Sequence, residues 1–308
     1  MITTGAGFSA DSGLQTYECA PAEYRDMCNP IQLVNKPLQF QQFWLRFTQS
    51  YLETQPHIGY ELLDQWCHGG LLKHLTKLSH DIESPWYVYT SNVDHHFAKF
   101  KSFQNTLCEI HGSALAFRCA CGIGFASGEP RLGKDWDSWN QNALSTDSCK
   151  QLSTIQMSQN LVEEILSSNE VVLCSHCKQP MRPNVLMFHD TDDNVLKEIN
   201  CQRERYQEWE AFVEDKVATQ GNLVILEIGC GTKVPAVRQE SEDVFLDSAK
   251  KIQSQKGSEG SVCLIRINPK DAEIKLDGGD KLDTISISST AADAIQKIDY
   301  WLKVFAEH

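Results

Sequence analysis

The feature that most constrains this chain is a set of short runs, apolar along almost their whole length, each ending in glycine or a small polar side chain. Leu223-Val224-Ile225-Leu226-Glu227-Ile228 runs into Gly229-Cys230-Gly231-Thr232-Lys233, and Ser261-Val262-Cys263-Leu264-Ile265-Arg266-Ile267 ends on Asn268. Trp86-Tyr87-Val88-Tyr89-Thr90 ends on Ser91-Asn92-Val93-Asp94-His95-His96. A strand apolar at nearly every position is buried on both faces, as in a parallel sheet with helices on either side. Helical patterns alternate with these runs. Phe40, Phe43, Trp44, Phe47 and Tyr51 recur at spacings of three and four, which makes a core-facing aromatic stripe. Ile58 to Leu78 reads as helix, glycine break and helix, Asn194 to Lys216 as a charged helix, and Ala291 to Phe305 as an amphipathic one. The expected class is therefore α/β. In such sheets ligands lie beyond the carboxyl ends of the strands, so polar residues there are candidates for chemistry. Taken alone, residues 91–94 also read as a plain Asn/Asp turn.

The first glycine stretch, Gly5-Ala6-Gly7-Phe8-Ser9-Ala10-Asp11-Ser12-Gly13, follows the short β-branched run Ile2-Thr3-Thr4. A tight strand-to-helix turn of this kind can hold an anion such as a pyrophosphate. The third glycine of the dinucleotide fingerprint is displaced to Gly13, so a turn with no ligand is an equal reading. The few residues before it suggest a short edge strand, a trimmed gene model or a fragment. Further on, His111 sits beside Gly112 after Leu107-Cys108-Glu109-Ile110. An imidazole there can exchange a proton near neutral pH.

Cys119-Ala120-Cys121 and Cys174-Ser175-His176-Cys177 form two close pairs that can present four thiolates to one zinc ion, a closed and structural site. The tight Cys-x-Cys pair and the long polar segment from Gly122 to Leu173 depart from a compact ribbon. His176 is an alternative ligand, and free buried cysteines are the bland reading. The twelve cysteines, with no charged leader before an apolar core, place the chain in a reducing intracellular compartment such as the cytoplasm. No apolar run is long enough to span a bilayer, so a soluble chain is expected. The net charge of −13 disfavours nucleic-acid backbones and suits a Lys-rich partner. Met181 to Asp190 is an extended run that either offers backbone edges to a peptide or returns the chain from the cysteine module. A length of 308 residues predicts one large domain with a subdomain, or two domains.

In this order the motifs resemble the sirtuin family. Gly5-Ala6-Gly7-Phe8-Ser9, Thr90-Ser91-Asn92-Val93-Asp94, His111-Gly112, the two cysteine pairs, Arg182-Pro183-Asn184-Val185, Gly231-Thr232 and Ile267-Asn268 follow its pattern over nearly the whole chain. The resemblance implies a Rossmann-like parallel-sheet domain from residues 1–116 and 190–308, with a helical insertion at about 30–78. A smaller zinc-binding and helical subdomain would cover 117–189. It further implies an NAD-dependent protein-lysine deacylase acting on an acylated-lysine peptide, with transfer of the acyl group to ADP-ribose. Gly5, Ala6, Gly7, Ser9, Tyr17, Ser91, Asn92, Asp94, Gly231, Thr232 and Asn268 would bind NAD. His111 would be the general base, aided by Asn92 and Asp94. Cys119, Cys121, Cys174 and Cys177 would hold structural Zn2+. Alternatives on the same pattern are ADP-ribosyl transfer, NAD hydrolysis, and a weakly active NAD- or ADP-ribose-binding scaffold. The chain also departs from the pattern. Glu18 stands at the family's Arg, His95 and His189 at glycines, Ser91 at Gln and Lys233 at Ser.

Overall fold

The computed structural model describes residues 1–16, 22–68, 84–122, 154–190, 192–276 and 283–306. Among them lie the strands β1 (Ile2–Thr4), β2 (Val88–Thr90), β3 (Leu107–Glu109), β4 (Gly112–Cys119), β5 (Thr154–Gln156), β6 (Met181–Val185), β7 (Asn222–Ile228), β8 (Ser261–Ile267) and β9 (Thr284–Ile287). The helices are α1 (Ala6–Ala10), α2 (Ala22–Met27), α3 (Ile31–Asn35), α4 (Pro37–Glu53), α5 (Ile58–His68), α6 (Gln159–Ser168), α7 (Asp193–Thr219), α8 (Ala236–Ser254) and α9 (Ala291–Ala306). The predicted second helix of the Ile58 to Leu78 stretch, Tyr17, Glu18 and most of the polar segment after Gly122 lie outside the described residues.

Six strands form one sheet in the order β3-β2-β1-β7-β8-β9, with every pairing parallel. Helices cover both faces, as the uninterrupted apolar runs require. On one side Tyr206, Trp209 and Val213 of α7 and Phe245 of α8 pack against Tyr87, Ile225 and Leu264. On the other, Tyr60 and Leu63 of α5 and Ile295 of α9 pack against Val88, Leu226 and Ile267. The expectation of an edge position for β1 is corrected. It lies inside the sheet, with Ile2 in register with both Val88 and Leu226. Both of its edges are hydrogen-bonded and its threonine hydroxyls have partners: Thr3 with Ser241 and Thr4 with Thr90, each at 2.7 Å.

A second, antiparallel sheet has the order β5-β4-β6. The aromatic stripe of α4 supplies its core. Phe40 and Trp44 pack with Phe117, Val162 and Met181. Buried Gln41 fastens this helix to the strands, donating to the Val172 and Met181 carbonyls and accepting from the Val172 amide. β4 begins directly after His111, so the two sheets meet at that residue. Gly112 makes the junction possible: its φ is +75°, and a Cβ there would lie 2.2 Å from the Asn184 carbonyl oxygen.

Candidate functional site

The strand order reverses at β1 and β7, the point where open α/β sheets bind their ligands. A cavity of about 420 Å³ opens at the carboxyl ends of these strands. Of the residues singled out in the sequence, Gly5, Ala6, Gly7, Ser9, Ser91, Asn92, Asp94, His111, Gly231 and Asn268 border it. Thr232 is exposed and does not line it, and Tyr17 is outside the described residues.

The glycines at 5, 7 and 229 are explained by packing before any ligand is considered. Gly7 N donates to the Gly229 carbonyl at 3.0 Å, and a Cβ on Gly7 would lie 2.8 Å from Gly229 Cα. Gly229 has φ +64°, and its own Cβ would lie 2.3 Å from Phe8 N. The two strand-end turns therefore interlock, and only glycine permits the approach. Gly231 differs: among the described residues nothing lies within 4 Å of the place a Cβ would take. That open side is available to a ligand. Asn268 welds the neighbouring turn to it, donating from Nδ2 to the Cys230 carbonyl at 2.9 Å. Lys233 and Lys270 border the same end and bring positive charge suited to phosphate.

Ser9 is the hub of a buried network. Its Oγ donates to Asp94 Oδ2 at 2.5 Å and accepts from Asn92 Nδ2 at 3.0 Å. Tyr60 OH lies 3.0 Å from the same oxygen. A hydroxyl has one proton and two acceptor sites. With its proton on Asp94, Ser9 must accept from Tyr60, which fills its capacity. Burial pushes the Tyr60 phenol well above its ordinary range, reinforced by Asp94, so it stays a donor. Asp94 also accepts from the His96 amide at 2.9 Å through Oδ1. Ser9 thus holds Asn92 and Asp94 in place, and Tyr60 is a site residue that no motif signalled. Tyr60→Phe is expected to lower stability by about 1 kcal/mol, as loss of one such hydrogen bond does, and Ser9→Ala by more. Urea unfolding of both variants checks this order.

His111 enters the cavity from the β3–β4 junction, with the Ser91 backbone as hydrogen-bond partner. Burial lowers its pKa below the ordinary histidine value, against the Ser91 contact and assisted by Arg203. The ring is therefore neutral at pH 7, the state a general base needs. The other wall is apolar and aromatic, with Leu14, Tyr24, Trp44, Phe47, Val93 and Met187. Three residues of the α4 stripe, Trp44, Phe47 and Tyr51, so serve both the core and the cavity. The extended run after β6 also borders it, but its amides are already engaged. Leu186 N donates to the His111 carbonyl, Phe188 N to Cys28 and Met187 N to Asp190 Oδ2.

The cysteine cluster lies at the far end of the small sheet. The sulfurs of Cys119, Cys121 and Cys177 are all within 4.8 Å of one another, and Cys119 Sγ is 3.2 Å from Cys177 Sγ. A tetrahedral ion bound at about 2.3 Å sets its sulfurs about 3.8 Å apart, so three of these thiolates fit zinc. Cys174, the fourth cysteine of the sequence reading, is buried on the same turn as Cys177, its N–H donating to the Gln179 carbonyl and its own carbonyl accepting from the Lys178 amide. His176 is exposed.

No protein-family model matches the chain. It is 27% identical over 210 residues to the NAD-dependent protein deacylase sirtuin-5A, mitochondrial, of Xenopus laevis. That match takes in 66% of this chain and 60% of the relative's length. A solved complex of a Sir2 homologue with NAD superposes with a TM-score of 0.55 at 17% identity, covering 98% of this chain and 88% of that one. A Sir2 complex with a p53 peptide and NAD+ gives 0.54 at 16%, covering 98% and 92%. The chain is a divergent relative of the sirtuins. Set against the sirtuin pattern, its departures have a definite form. His95 and His189 occupy glycine positions, yet both keep a glycine-like backbone, with φ of +59° and +61°. Both histidines thus sit in the left-handed region that glycine adopts freely.

Proposed function

We propose that the chain is an NAD-dependent protein-lysine deacylase of sirtuin type. The observation that carries this reading is convergence: Asn92 and Asp94 from the end of β2 and His111 from the end of β3 open into one cavity with both glycine turns. The residues fit the dinucleotide. Gly231 leaves an open backbone cradle, Lys233 and Lys270 offer charge to phosphates, and the apolar wall suits the alkyl stem and acyl group of a modified lysine. When bound, NAD supplies an electrophilic anomeric carbon with nicotinamide as its leaving group. Asn92 and Asp94, locked through Ser9, orient the ribose. His111, neutral and partly enclosed, takes a proton from a ribose hydroxyl and so favours acyl transfer. The cysteine-bound zinc, remote from these groups, would act on stability alone.

A second reading keeps the cofactor and changes the acceptor to a protein side chain or water. It is favoured by the engaged amides of Leu186, Met187 and Phe188, which are therefore not free to pair with a peptide strand. Calorimetric titration with NAD, followed by nicotinamide release with and without acylated-lysine peptides, separates the readings. Release that requires the peptide supports deacylation, and release indifferent to it supports the second. No binding of NAD or ADP-ribose would sink both.

A further inference from the structure

Resting on the site reading above, we propose that His95 and Glu109 form a tether that holds the Asn92–Asp94 loop against the His111 loop, making both positioning residues. Three observations carry this. His95 Nδ1 lies 3.0 Å from each carboxylate oxygen of Glu109, joining the loop after β2 to the last residue of β3. Asp94 immediately precedes one partner, and His111 follows the other by two residues. The contact is also kept in spite of strain. A histidine at φ +59° is unfavourable where glycine would sit freely, so the side chain has something to offset.

The pair is asymmetric: the Glu109 side chain is 6% exposed and that of His95 42%. A carboxylate so enclosed needs a partner. Besides His95 it faces a polar cavity of about 90 Å³ bordered by Gln156, Asn184, Glu198 and Gln202, through which water and protons can reach it. The Gln202 Oε1 accepts from the Glu109 amide, and Arg118 lies 3.3 Å from Glu198. Backbone bonds flank the tether, Ile110 N to the Thr90 carbonyl and Ala114 N to that of Val93, both at 2.9 Å. Between them, residues 94 and 95 are joined to the β3 end by the side-chain pair.

The pair is also titratable. The Glu109 hydrogen bond raises the His95 pKa over the opposing effect of burial; Asp94 adds to the rise and Lys99 opposes it. Burial raises Glu109, which His95 draws down and Asp94 and Glu198 push further up. Both directions keep one proton on the pair beyond the ordinary histidine range. The charge-assisted contact is therefore full between the raised Glu109 value and the raised His95 value; it is lost to protonation of the carboxylate below the first and weakens as pH rises through the second.

The test uses the full chain. Glu109→Gln keeps size and leaves the backbone of His95 untouched, while His95→Gly relieves the strain and removes the imidazole. Hydrogen exchange of residues 91–96 and 109–112, expressed as protection factors, is expected to fall by about tenfold in Glu109→Gln, the effect of losing a charge-assisted hydrogen bond. His95 followed by NMR should titrate above a free imidazole in the native chain and lower in Glu109→Gln. Where NAD turnover is measurable, the alkaline limb of its pH profile should move to lower pH in the variant. Unchanged protection in a folded Glu109→Gln chain, or a native His95 that titrates as a free imidazole, overturns the tether. If both variants fail to fold, that native titration still decides. Loss of protection with no NAD turnover in any form leaves the tether standing and removes the enzymatic reading.

Discussion

His111→Ala is expected to lower nicotinamide-coupled acyl transfer by about 10²–10⁴-fold, the usual contribution of a positioned general base, while ADP-ribose still binds. His111 borders the cavity, whereas the proposed dinucleotide cradle is formed by the turns at 5–7 and 229–231. The pH profile carries the same argument with a sign. Burial depresses the His111 pKa, so the native rate should hold at neutral pH and fall only as pH drops through a value below the ordinary histidine range. An unchanged rate of peptide deacylation in His111→Ala would sink the mechanism. A native acid limb above that range would contradict the burial of the ring.

The second large effect concerns the metal. Chain purified without chelator should contain one equivalent of zinc, and Cys177→Ser should lose it. At free zinc 1,000-fold above Kd, a bound ion adds about 4 kcal/mol to stability, so the variant should unfold at markedly lower denaturant. Metal analysis of the native chain that finds no stoichiometric zinc would refute the site.

Much of this was legible in the sequence because burial on both faces leaves a strong mark. The runs at 223–228 and 261–267 are apolar at nearly every position, and both became interior strands, β7 and β8. Their polar ends pointed to the cleft for the same reason, since a side chain there has left the core. The position of β1 was not legible. Three residues state how buried a strand is, not which strands will pair with it. Tyr60 was equally silent: on its helix it reads as one more core aromatic, and only the fold brings its hydroxyl to Ser9, 51 positions away. The gathering of Cys119, Cys121 and Cys177 depends on how the 174–177 turn lies against β4, which spacing cannot specify.

The sequence by itself determined an α/β chain with a parallel sheet, its polar strand ends, and the residue types capable of the chemistry, because periodicity and composition report burial directly. The tertiary structure alone decided that glycines 5, 7 and 229 serve the interlock of two turns, that Ser9 is saturated by its neighbours, and that His95 reaches Glu109. These are contacts between segments distant in sequence, some more than 200 residues apart, and they exist only once strand order has set which loops meet.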